Sequence, residues 1–336
     1  MKKQLKVSVL DLVPVREGQQ NKEAVEHMTR LIQKVEQYGY ERYWIAEHHN
    51  MASVVSSATV LLIQQALMHT EKIRVGSGGI MLPNHAPLVV AEQFGTLETM
   101  YPNRLDLGLG RAPGTDQVTA QALRRSGNDS VYSFPEDIEE LLRYFGGATE
   151  QKYVRAIPAI GTNVPLYLLG SSTYSAVLAA KMGLPYVFAA HFAPGQLQDA
   201  IALYRDRFEP SDYLKEPYVM IGVNAIGATT DEEAEKQYST SFRLMYNIRH
   251  NIQQPLQPAT DNLDEICSPY EQQMMKQASG ISLRGTKETL VQQIEAFQEK
   301  YEADEIIAVT YVFEEEAQHE SYRIVKEAID IYNEQA

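Results

Sequence analysis

Short apolar runs alternate with helical patterns from one end of this chain to the other, and that alternation limits most strongly what it can fold into. Runs that read as strands lie near 5–13, 41–46, 72–80, 104–109, 165–169, 185–190, 218–226 and 304–312. Helical patterns cover 21–38, 56–70, 87–101, 135–145, 172–182, 195–208, 231–249, 286–300 and 315–334. In the first of these, Val25, Met28, Leu31, Ile32 and Val35 recur at helical spacing, and Gly39 closes the turn. The strand runs are too apolar to be half exposed, which predicts a parallel sheet covered by helices. Eight such units close most readily into an α/β fold of the (β/α)8 TIM barrel type, with an open doubly wound sheet as the alternative. A length of 336 residues fits one such barrel, so residues 1–336 read as a single domain.

Two segments break the rhythm. Residues 110–134 and 250–284 lack a sustained period and read as long loop insertions at the carboxyl-end face of the barrel, where barrel enzymes keep their chemistry. The charge balance, 30 basic against 44 acidic residues for a net −14, argues against a nucleic-acid or anionic-membrane partner. One cysteine, Cys267, excludes an internal disulfide framework and a zinc site built from cysteines. No apolar run approaches the ~20 residues of a membrane span, and the amino terminus shows no leader pattern, so a cytoplasmic location is expected.

Four segments can carry chemistry. In 166–185 an apolar run stops at Gly170 and is followed by Ser171, Ser172, Ser175 and a helical pattern ending at Gly183. A strand that breaks into a Gly-Ser-Ser turn and opens a helix gathers free N–H groups and hydroxyls, which suits a phosphate; simple helix capping is the other reading. Arg111 directly follows the strand run 104–109. In a barrel the two strands are neighbours, so Arg111 and the serine cluster would share one rim and clamp one phosphate. Trp44-Ile-Ala-Glu-His-His-Asn50 ends another strand, where Glu47, His48 and His49 could hydrogen-bond, move protons or bind metal. Strand alternation keeps His48 and His49 from sharing an ion easily. A metal-dependent barrel hydrolase would have only Glu47, His48, His49, Asp106 and His191 to draw on. In 75–87, Ser77, Gly78 and Gly79 form a small-residue stretch that admits a flat ligand close to the backbone, or else a bulge. Its glycine spacing is not that of a dinucleotide fold.

In order along the chain, Ala46-Glu47-His48-His49, Val75-Gly76-Ser77-Gly78-Gly79 with Leu82-Pro83, Ala91-Glu92, Gly108-Leu109-Gly110-Arg111, and Leu169-Gly170-Ser171-Ser172 with Gly183-Leu184-Pro185 resemble the bacterial luciferase-like family of flavin-dependent oxidoreductases. The resemblance runs over nearly the whole chain and implies a two-component monooxygenase. Reduced FMN would come from a separate flavin reductase, and O2 would oxidise a small organic substrate. By position, it implies a cis peptide at Gly78-Gly79 under the flavin, with Ser77 beside it. It implies a phosphate site of Arg111, Gly170, Ser171, Ser172 and Ser175, and a catalytic His48 near the reactive face. It also implies a homodimer, through helices after the first three strands. Gly110 stands where the light-emitting members carry a cysteine, which argues against light emission. Sister members use the deazaflavin F420 for hydride transfer, and a non-catalytic flavin-binding protein is a further alternative.

Overall fold

The computed structural model describes residues 4–123, 133–277 and 279–335. Strands and helices alternate as β1 (Lys6–Asp11), α1 (Asn21–Tyr38), β2 (Arg42–Ile45), α2 (Thr59–Met68), β3 (Arg74–Met81), α3 (Pro87–Met100), β4 (Leu105–Gly110), α4 (Gln117–Leu123) and α5 (Phe134–Phe145). They continue as β5 (Leu166–Gly170), α6 (Thr173–Met182), β6 (Tyr186–Phe188), α7 (Leu197–Asp206), β7 (Val219–Gly227) and α8 (Asp231–Arg249). The last are α9 (Pro269–Gln277), β8 (Ser282–Gly285), α10 (Lys287–Tyr301), β9 (Glu305–Val309) and α11 (Glu315–Gln335). All strand pairs are parallel, and β1 through β7 with β9 close into a ring in which β6 meets β7 and β9 joins β7 to β1. This is the expected (β/α)8 TIM barrel.

Side-chain alternation along each strand splits the apolar residues into two sets. One set, including Val9, Tyr43, Ile45, Val75 and Leu107, packs against the surrounding helices. The other, including Leu10, Trp44, Tyr167, Met220 and Ile307, fills the barrel interior. Helix α1 shows why its sequence chooses this state. Gln20 and Glu23 form a capping box, and Gly39 ends the helix at φ 81°. Ala24, His27, Met28, Leu31, Ile32 and Val35 make its buried face.

The structure corrects the strand count and the second insertion. Residues 250–284 contain α9 and most of a ninth strand, β8. β6 pairs with β7 only at Val219–Ile221; β8 pairs along Asn224–Gly227, beyond the point where β6 stops. Four residues reading Ser-Leu-Arg-Gly carry no period of their own, so only this vacant edge makes them a strand. The first insertion contains α4, and its residues 124–132 lie outside the described residues.

Both insertions lie against the carboxyl ends of the strands. Gly114 O accepts from His49 N, and Thr115 Oγ1 donates to His49 O. Leu256 exchanges backbone bonds with Val15 and Glu17 after β1, and its side chain joins the barrel-interior cluster. Ile281 N donates to Ala190 O after β6. Among the described residues no helix is long and apolar enough to cross a membrane.

Candidate active site

Buried charge closes the amino end of the barrel. Arg42 forks onto Glu305 (Nε to Oε1 2.8 Å, Nη2 to Oε2 3.2 Å) and reaches Asp106 Oδ2 at 2.8 Å. Arg74 holds the other Asp106 oxygen, and Trp44 Nε1 donates to Oδ2. Ser8 and Tyr218 hydroxyls complete Glu305. Asp106 therefore faces the barrel interior, but at the end where barrel residues serve stability. Burial alone would raise its pKa; Arg42 and Arg74 outweigh that and hold it below the ordinary carboxylate value.

At the other end, alternation along β2 persists past the strand. Arg42, Trp44 and Ala46 point inward, and His48 continues that side. Glu47 and His49 take the other side and bond each other at 2.8 Å. Buried Glu47 also accepts from Met81 N at 3.0 Å and meets His85 Nε2 at 2.9 Å. It ties the end of β2 to the turn after β3, a structural task. Burial pushes its pKa up, but the bonds to His85 and His49 bring it below the usual value. Glu47, His48, His49 and Asp106 thus cannot ligate one ion: two face away from the mouth and one lies at the opposite end.

His48 Nδ1 is buried and has no hydrogen-bond partner among the described residues, while His191 Nδ1 lies against Gly222 of β7. Burial is the main cause that holds each imidazole at about 4, with the neighbouring His48 adding to it at His191. Two neutral imidazoles therefore stand near each other at the mouth. His191 follows β6 as His48 follows β2, and its carbonyl accepts from Asn224 Nδ2 at 2.8 Å. The sequence offered His191 only as one possible metal ligand. The signal that could have found its place was the histidine at a second strand end.

Gly78 and Gly79 are joined by a cis peptide, as the resemblance implied. They form a bulge, because the β3–β4 register shifts between Ser77 and Ile80. Backbone leaves no room for side chains here: a Cβ on Gly79 would stand 2.7 Å from Gly108 O, and one on Gly108 would stand 2.2 Å from Ser77 O. Ser77 is fully buried, and its hydroxyl donates to Gly108 O at 2.8 Å. That bond braces the bulge with the Ser77 side chain, so a cofactor contact at Ser77 would fall to its backbone.

The α6 terminus meets the end of β4. The Arg111 guanidinium lies 4.1 Å above the exposed Tyr174 ring, and among the described residues it makes no ion pair. Ser172 occupies the capping position, yet its side chain makes no capping bond. Simple capping is therefore not what these serines do. Gln196 Oε1 accepts from Thr173 N at 3.1 Å. Ser175 differs from the other two. Its hydroxyl turns inward onto Ser172 O at 2.9 Å and contacts Tyr186 Oη at 3.3 Å, and a Cβ on Gly170 would collide with it at 2.0 Å. Ser175 and Gly170 shape the turn, while Arg111, Ser171 and Ser172 remain at the rim.

The mouth of this parallel barrel thus gathers a cationic helix terminus, a glycine bulge and two histidines. Comparison with known proteins makes this specific. Residues 5–301 match the family model described as luciferase-like monooxygenase. A luciferase-like monooxygenase of Escherichia coli (strain K12) is 43% identical, with 99% of this chain and 98% of that protein covered. The crystal structure of apo-MsnO8 superposes with a TM-score of 0.86 at 29% identity, over 97% of this chain and 98% of that one. More distantly, the fold is shared with the oxygenating constituent of 3,6-diketocamphane monooxygenase in complex with FMN. That match has a TM-score of 0.71 and 15% identity over 97% of each chain. It is shared too with an F420-dependent secondary alcohol dehydrogenase, at a TM-score of 0.67 and 16% identity over 98% and 99%. The chain belongs to the luciferase-like monooxygenase family.

Proposed function

We propose that this protein binds FMN, reduced by a separate flavin reductase, and uses O2 to oxidise a small organic substrate. The rim formed by Arg111 and the α6 terminus carries this reading. It brings together a guanidinium with no ion pair among the described residues, two serines and the amino end of α6, a donor set that suits a phosphate monoester. The glycine bulge leaves backbone free of side chains for a flat ring system. When bound, FMN supplies the redox chemistry. The chain's own residues bind the phosphate, fix the ring and exclude water. A neutral His48, with its Nδ1 unpaired, is able to donate or accept a proton at the mouth. A mere flavin store would need only the phosphate site.

Arg111→Ala is expected to weaken FMN binding by about 1.5–3 kcal/mol, the worth of hydrogen bonds to a charged group. Riboflavin, which lacks the phosphate, should bind wild type weakly and respond little. Titration by fluorescence quenching decides: equal losses for both ligands would refute the site, and F420 binding tighter than FMN would refute the cofactor.

We further propose that the functional unit is a homodimer formed through α2 and α3. Leu61 and Met68 on α2 and Val89 and Met100 on α3 are exposed apolar side chains on adjacent helices. Sedimentation at micromolar concentration should show twice the mass of one chain; a particle of single-chain mass removes the dimer.

A further inference from the structure

A second cluster of ligating side chains lies outside the barrel, between α1 and α11. His27 belongs to the buried face of α1, and Glu315 and His319 sit one turn apart at the start of α11. His27 Nδ1 is 3.3 Å from Glu315 Oε2, and His319 Nε2 is 3.9 Å from Glu315 Oε1. All three ligand atoms lie within 4.8 Å of one another. Two ligands ~2.0–2.1 Å from a tetrahedral ion stand about 3.3 Å apart, so small side-chain shifts bring this set to bonding geometry.

The hydrogen-bond network fixes the His27 tautomer. Gln318 Nε2 donates to Thr310 O at 2.7 Å, which makes Gln318 Oε1 the acceptor. That oxygen receives Arg16 Nη2 at 2.9 Å and His27 Nε2 at 2.8 Å. The His27 proton therefore sits on Nε2, and neutral Nδ1 aims a lone pair at a carboxylate oxygen. In that tautomer two acceptors face each other at 3.3 Å, a gap that a bound cation or a second ring proton would fill. His319 Nε2 is buried too and has no hydrogen-bond partner among the described residues.

We propose that His27, Glu315 and His319 form a site for a divalent first-row transition ion of the zinc class, which pins α1 to α11. Two imidazoles and one carboxylate favour such an ion over magnesium or calcium. Arg30 already bonds both Glu315 oxygens, at 2.5 and 2.8 Å. A carboxylate has about four lone-pair sites, so two remain for a metal. Gln318 and Arg30 then act as outer partners that orient the ligands. The open side faces a groove with Lys34, Tyr38, Glu316 and Glu320 along it, where water can complete the coordination.

The test is cobalt titration of the chelator-stripped full chain, followed by visible absorption, with zinc displacing the cobalt. One ion per chain with intense d–d bands is expected, together with a zinc-dependent rise in Tm. His319→Gln and Glu315→Gln should each weaken binding by at least the ~10–100-fold that even an outer partner is worth. FMN affinity, set at the barrel mouth, should not change in either. The chain has eight histidines, so ion binding unaltered by both substitutions would overturn the assignment. So would the absence of binding. Nitrogen-15 NMR gives an independent check on the wild type: a doubly protonated His27 at neutral pH would make the pair an ordinary ion pair and refute the metal site.

Discussion

Arg42→Ala is expected to destabilise the chain by about 3–5 kcal/mol, the cost of breaking a buried ion pair from one side. Arg42 is 4% exposed, and Asp106 and Glu305 are fully buried. Without Arg42, Asp106 keeps Arg74 and Trp44, while among the described residues Glu305 keeps hydroxyl donors from Ser8 and Tyr218 and no cation. Urea unfolding should show a lower midpoint with an unchanged slope. In wild type the network also sets an acid limit. The folded-state pKa of Asp106 is depressed, so its contribution is full above the ordinary value of 3.8 and is lost as pH falls through the lower folded value. A variant within 1 kcal/mol of wild type would show that the network contributes little.

His48→Ala should leave binding of oxidised FMN nearly unchanged, because the phosphate site proposed at Arg111 and the α6 terminus lies elsewhere. Its effect falls on chemistry at the mouth. Loss of a positioned proton donor or acceptor is expected to change the rate at which reduced, flavin-loaded protein returns to the oxidised form in air by about 10²-fold, the usual reach of such a group. Stopped-flow absorbance reads this directly, and an unaltered time course would remove the role assigned to His48. His49→Ala should act on stability instead, since His49 bonds Glu47. A second readout follows from linkage. His48 is held at about 4 against an ordinary 6.5, so folding of wild type is penalised as pH falls from 6.5 toward 4. The variant should show a shallower slope across that window.

What the sequence determined by itself was what local pattern can encode. Eight apolar runs with helical periods between them are enough for a closed parallel barrel, because runs buried on both faces leave few other arrangements. The order of strands put Arg111 beside the serine turn, and strand alternation alone separated His48 from His49. Tertiary structure decided everything that depends on partners distant in the chain. Ser77 and Ser175 look like their neighbours in sequence, yet their hydroxyls are spent on Gly108 O and Ser172 O. β8 exists only because β6 ends early and leaves an edge of β7 open. Arg42, Asp106 and Glu305 come from three different βα units, and no spacing rule links them. The pairing of His27 with Glu315 and His319 likewise needs the first and last helices side by side. Periodicity fixes which face of an element is buried; which residue waits on the other side is settled only when the ring closes.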